Sequence, residues 1–191
     1  DLLQTTANVE FDGYVDFAVQ NYGGLRVPVV AKGDLTVGDI YEVMPFDNKL
    51  VVLNLTGEKT LMLLNRIADY GGWPISSNLT FAIEDEKATD IMIKGESFDI
   101  KKSYRVALPD YTANGGDRCT FLKEEKQEDN DKMIRDLIIE YFQNNPPSEP
   151  IVAPTGISLP TSAYETLTFA KDTDSGISNI SVKTFVKPID G

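Results

Sequence analysis

The stretch Leu50–Gly72, LVVLNLTGEKTLMLLNRIADYGG, changes its hydrophobic period within a few residues. Leu50–Leu55 is a continuous apolar run and reads as a strand. Glu58–Tyr70 then places Leu61, Leu64, Ile67 and Ala68 on one face of a helix that Gly71-Gly72 ends. Upstream, Val15–Val19 reads as a buried strand running into the turn Tyr22-Gly23-Gly24. Thr36-Val37-Gly38-Asp39 has the spacing of a capping box, and the short helix it opens must stop before Pro45. Downstream, Leu79–Ile83, Ile91–Lys94 and Tyr104–Leu108 read as strands, and Met133, Ile134, Leu137, Ile138 and Tyr141 mark a patterned helix. Strands and helices are interleaved irregularly, not as repeated βαβ units. The expectation is an α+β fold, a mixed sheet packed with helices.

The chain has 191 residues, 41% of them hydrophobic, which is enough to bury one sizeable core. Apolar periodicity is dense over residues 1–145 and gives way to a proline-rich linker at 146–160, bearing Pro146, Pro147, Pro150, Pro154 and Pro160. Residues 161–191 form a Ser/Thr-rich tail with two strand-like pieces, Leu167–Ala170 and Ile180–Val186. The net charge of −12 disfavours binding to nucleic acid. There is no histidine, which removes histidine-based triads, general bases and metal ligands, and the single Cys119 excludes an internal disulfide. No apolar run approaches the ~20 residues of a membrane span. The start Asp1-Leu2-Leu3-Gln4 has no signal-peptide character.

Three clusters have compositions that a core does not demand. Asn21-Tyr22-Gly23-Gly24-Leu25-Arg26 follows a strand: paired glycines permit positive φ and close approach of a ligand, and the Arg26 fork suits carboxylate or phosphate. Taken alone, this cluster is better explained as a tight turn with a surface arginine. Met44-Pro45-Phe46-Asp47-Asn48 holds an aromatic in a rigid turn, as a plug for the core or as a stacking platform. Asp110-Tyr111-Thr112-Ala113-Asn114-Gly115-Gly116-Asp117 joins an aromatic and a carboxylate on one unusual loop, as nucleoside recognition requires. The acidic clusters Glu84-Asp85-Glu86, Glu124-Glu125 and Glu128-Asp129 read as solvated loops, not metal cages.

In this order and spacing, NYGGLR, PFDN and YTANGGD resemble the C-terminal domain of the 5′-nucleotidase (UDP-sugar hydrolase) family, over residues 1 to about 145. Thr36–Tyr41 and Leu53–Leu61 are similar to intervening patterns of that family. The resemblance implies a base sandwiched between Phe46 and Tyr111, ribose hydroxyls on Asp117, and Asn21 and Arg26 near the ribose and phosphates. The glycines and amide of the same loops, Gly23, Gly24, Asn114 and Gly116, complete the expected substrate-binding set. The family's chemistry lies in an N-terminal metallophosphatase domain with two metal ions held by Asp, His and Asn. A histidine-free chain is therefore expected to contain no catalytic or metal-binding residue, no cofactor, and no activity alone. The partners implied are a nucleoside or nucleotide and a metallophosphatase domain on another chain or on a removed segment. The location implied is extracytoplasmic: periplasmic, surface or secreted.

The chain departs from the family in three ways. The resemblance implies a strand and an arginine-bearing Asn-x-x-Asn-Leu segment ahead of Asp1, so the domain is expected to lack its N-terminal strand. Tyr111 stands where phenylalanine is usual. Arg118 and Cys119 stand where glycine and an aromatic are usual, and Cys119 is expected to be a half-buried packing residue. The functional reading is a nucleotide-recognition domain of a phosphohydrolase. The alternatives are a non-catalytic nucleoside-binding module and a degenerate surface interaction protein.

Overall fold

The structure is a computed structural model that describes residues 1–27, 30, 34–145, 166–169 and 180–183, the last two segments by backbone alone. Its elements are α1 (Leu2–Glu10), β1 (Phe17–Ala18), α2 (Val37–Val43), β2 (Lys49–Thr56), α3 (Gly57–Asp69), β3 (Leu79–Glu84), β4 (Lys87–Ile93), β5 (Glu96–Ser97), β6 (Ser103–Pro109), α4 (Asp110–Ala113), β7 (Gln127–Met133) and α5 (Ile134–Asn144). Two further strands, β8 (Thr166–Phe169) and β9 (Ile180–Lys183), pair antiparallel with each other. They coincide with the two strand-like pieces of the tail. The proline-rich segment 146–160 lies outside the described residues.

The architecture is α+β, built on a mixed sheet in the order β1-β6-β2-β7. β1 runs parallel to β6, with Phe17 opposite Val106 and Ala18 opposite Ala107. β6 and β7 both run antiparallel to β2, so β2 and β6 are the two inner strands of the sheet. The continuous apolar run of β2 has a simple cause: its two faces enter two different cores. Val51, Leu53 and Leu55 pack with Phe17, Val106, Leu108, Leu63, Leu64 and Ile67 beneath α3. Leu50 and Val52 pack on the opposite side with Ala7 and Phe11 of the α1 segment and with Ile134 and Leu137 of α5. Burying that many large apolar side chains, each contributing about 1.5–3 kcal/mol, supplies the main stabilisation of the fold.

The helix α3 begins directly after β2, capped by the Thr56 hydroxyl, which accepts from Lys59 N at 3.3 Å. Gly57 is required there for want of space: a Cβ would collide with the Ile100 backbone, and its N–H donates to Lys102 O at 2.7 Å. The buried face of α3 is Thr60, Leu63, Leu64, Ile67 and Ala68. Leu61, expected on that face, is only half-buried, because the stripe is rotated by the small sheet β3-β4-β5 that also covers α3. Leu79, Ala88 and Ile93 of that sheet enter the same core.

The acidic segments, expected to be solvated loops, differ in structure. Glu84-Asp85-Glu86 does form a solvated hairpin turn, with Asp85 and Glu86 at φ 48° and 61°. Glu128 and Asp129, however, lie in β7, not in a loop, with Val51 opposite Asp129 and Val52 opposite Glu128. An edge strand has a solvent-facing side, and these carboxylates are paired there: Glu128 with Arg105 at 2.7 Å and Asp129 with Lys49 at 3.2 Å.

Candidate functional site

The sheet register brings the three sequence clusters to one end. Because β1 and β6 are parallel, the chain leaves both at the same edge: Gln20-Asn21 after β1, Asp110–Asp117 after β6. β2 is antiparallel to β6, and Leu50 near its start lies opposite Pro109 at the end of β6. The turn Pro45–Asn48, which leads into β2, therefore reaches the same end. Residues separated by up to 96 positions become neighbours through two strand pairings.

Direct bonds then join the clusters. Asn21 Nδ2 donates to Asp117 Oδ2 at 2.8 Å, linking the first to the third. Asp110 Oδ1 accepts from Lys49 N at 3.0 Å and from Tyr111 N at 2.8 Å, linking the third to the strand that follows the second. Arg26 N donates to Val43 O at 2.9 Å, and the Arg26 guanidinium lies 4.9 Å from the centre of the Phe46 ring. That distance is a cation–π contact. The first and second clusters are thus in contact through the two side chains expected to bind substrate.

Each expected residue has a definite place. Asn21 is buried, and Asp117 is half-buried on a left-handed residue at φ 49°, ψ 38°. Gly23 and Gly24 close a short 3-10 turn, Tyr22–Gly24. Neither has positive φ; Gly24 is needed instead because a Cβ would collide with the Gln20 amide and lie 2.8 Å from Asn21 Oδ1. In the third cluster the left-handed backbone falls on Gly115, Asp117 and Arg118. Gly116 is needed for a different reason: any side chain would overlap the Tyr111 ring that lies against it. Asn114 is exposed, and its side-chain oxygen accepts from Gln127 of β7 at 3.0 Å. Phe46 and Tyr111 remain 39% and 45% exposed, so each has a ring surface open to solvent.

Sequence reasoning misses the residues that brace these. Arg135 at the start of α5 lies 4.1 Å over the Tyr41 ring and donates to Asp47 Oδ1 at 2.6 Å, and Ile134 N donates to Asn48 O at 2.9 Å. Together they fix the turn that carries Phe46. Gln20 escapes it as well, and Asp110 is read only as the first residue of its cluster, without this bracing role. The available signal is their position, each a polar residue directly at the end of an apolar strand. Cys119, expected to be half-buried, is fully buried, and burial pushes its thiol up to about 12. Among the described residues no group of three or more Asp, Glu, Cys or His side chains is placed to hold a metal ion. The two-metal chemistry implied by the resemblance does not fit these residues, and no hydrolytic step is assigned to them. No described helix is long and apolar enough to cross a membrane.

Comparison with known proteins bears on the whole arrangement. The family model for the 5′-nucleotidase C-terminal domain matches residues 3–124. Protein UshA of Salmonella pullorum is 34% identical over 137 residues, covering 69% of this chain and 25% of its own length. Protein UshA of Escherichia coli (strain K12) is 38% identical over 106 residues, 53% of this chain and 19% of its own length. A solved structure of a 5′-nucleotidase precursor from Thermus thermophilus superposes with a TM-score of 0.65 at 27% identity, covering 80% of this chain and 33% of that one. The NAD nucleotidase of Haemophilus influenzae shares the fold, with a TM-score of 0.61 at 20% identity, covering 75% of this chain and 29% of that one. The chain spans a quarter or less of the length of these two UshA proteins.

Proposed function

Because this chain belongs to the family of 5′-nucleotidase C-terminal domains, we propose that it recognises the nucleoside part of a nucleotide for a phosphohydrolase of nucleotide catabolism. The base stacks between Phe46 and Tyr111, Asp117 accepts from the ribose hydroxyls, and Arg26 lies on the phosphate side. Hydrolysis belongs to two divalent metal ions in a metallophosphatase domain outside these residues, at an extracytoplasmic location. The observation that carries this reading is the convergence of the three clusters at one end of the sheet, fastened by the Asn21–Asp117 bond.

The physical chemistry of the site suits that ligand. Two exposed rings offer flat apolar faces, and the Arg26 cation against Phe46 draws electron density from that ring, which favours an electron-rich base on its opposite face. A carboxylate on a rigid left-handed turn is a directed acceptor for a vicinal diol, and acceptors are what two hydroxyls need. The residues Asn114 and Gly116 shape the loop that presents Tyr111 and Asp117, and Gly23 and Gly24 shape the turn that presents Asn21 and Arg26.

Calorimetry with adenosine and uridine tests the sandwich. Phe46→Ala and Tyr111→Ala are each expected to weaken binding by about five- to a hundredfold, the range of one stacked base face. Affinity unchanged by both substitutions would refute the stacking. Asp117→Ala is expected to weaken ribonucleosides more than their 2′,3′-dideoxy counterparts.

A further inference from the structure

The side chain of Gln20 is buried at the end of β1, 6% exposed, and its Oε1 has no hydrogen-bond partner. Its Nε2 donates to Asn21 Oδ1 at 3.0 Å and only at the longer distance of 3.5 Å to the Asn21 backbone carbonyl, so the shorter bond goes to the side chain. Asn21 in turn donates from Nδ2 to Asp117 Oδ2 at 2.8 Å. The direction of this chain is dictated from its far end. An ionised carboxylate can only accept, so Asn21 must show Asp117 its NH2. The Asn21 carbonyl then faces Gln20, which must supply an N–H in its turn. An amide that served only to satisfy the surrounding backbone would not leave its own oxygen buried and unmatched.

We infer that Gln20 is a positioning residue for nucleoside recognition. It locks the Asn21 amide in the orientation that holds Asp117 Oδ2, so that Oδ1 meets the ribose diol. The inference rests on the nucleoside reading of the site and adds to it a residue that does not touch the ligand. Gly24 belongs to the same device, since a side chain there would drive the Gln20 amide away from Asn21.

The test compares wild type with Gln20→Met, which keeps length but cannot donate, and Gln20→Glu, which presents a second acceptor to the Asn21 carbonyl. Titration calorimetry with adenosine, uridine and their 2′,3′-dideoxy forms gives the ribose preference of each protein. Both variants are expected to lose the preference by about tenfold, the scale of one hydrogen bond to a charged group, while dideoxy affinity stays within about twofold. A preference equal to wild type, or an equal loss for both ligand types, overturns the inference, the latter because it marks a merely structural role. If wild type binds neither nucleoside, the reading of the site fails, and the relay is then judged by NMR. Asn21 side-chain amide protons that exchange faster in Gln20→Met than in wild type support it, and equal exchange rates overturn it.

Discussion

Cys119 shows how far a single residue's environment departs from what its sequence context offers. Its thiol is sealed in the α3 core beside Leu122 and Ala113, and its ionisation is pushed up to about 12 by the loss of solvent. A thiol that stays protonated at neutral pH is a poor nucleophile. Native protein is therefore expected to give no reaction with a disulfide reagent at pH 8 over the time in which unfolded protein reacts fully. Rapid native labelling would contradict this burial. Other residues divide along the same line. Phe46, Tyr111 and Asp117 are legible because a ring or carboxylate in a glycine- or proline-constrained turn has few structural duties. Gln20, Asp110 and Arg135 are not, because their roles are bonds that the local pattern does not announce, such as Arg135 to Asp47. At Gly24 and Gly116 the structural feature is crowding by a neighbouring side chain, not an unusual dihedral angle.

Among elements, those with a local signature could be read and those defined by a partner could not. The capping box at α2 is present as its spacing indicates: Asp39 N donates to Thr36 Oγ1 at 3.2 Å, and Asp39 Oδ2 accepts from Thr36 Oγ1 and N at 2.6 and 2.7 Å. Thr36→Ala is expected to lower stability by about 1 kcal/mol in denaturant unfolding at neutral pH. The Thr36 hydroxyl and backbone N–H hold the Asp39 carboxyl below its ordinary range. A depressed folded-state value means that Asp39 strengthens the cap above the ordinary aspartate range, and that this help disappears as pH falls through the lowered value. The Thr36→Ala penalty should therefore shrink in acid; a penalty constant with pH would refute the reciprocal cap. By contrast, β7, with the sequence QEDNDKM, carries no strand signal at all. It is a strand because β2 offers it a backbone ladder, and composition alone reports nothing of that.

At the scale of the whole molecule, the mixed class of the sheet follows from irregular interleaving, whereas the parallel pairing of β1 with β6 does not. Two residues of β1 are too short to announce a direction, yet that pairing sets the end at which the site forms. The molecule gathers the three sequence clusters at one end of its sheet and, in its described part, has no cluster of metal ligands. Incubated with AMP and Mn²⁺, Zn²⁺, Mg²⁺ or Ca²⁺, the 191-residue chain is expected to release no phosphate; clear saturable turnover would overturn that division of labour. The acidic border strand carries a further consequence. Sheets that end in an open, apolar rim recruit the rims of other molecules and grow into aggregates. Here the outermost strand is lined with Glu128, Asp129 and Asp131, and its ladder slips out of step between Lys49 and Val51. A second β-strand approaching that rim meets ion-paired side chains and an irregular strand instead of a flat apolar edge, so the same seven residues that look least like a strand are expected to disfavour edge-to-edge pairing.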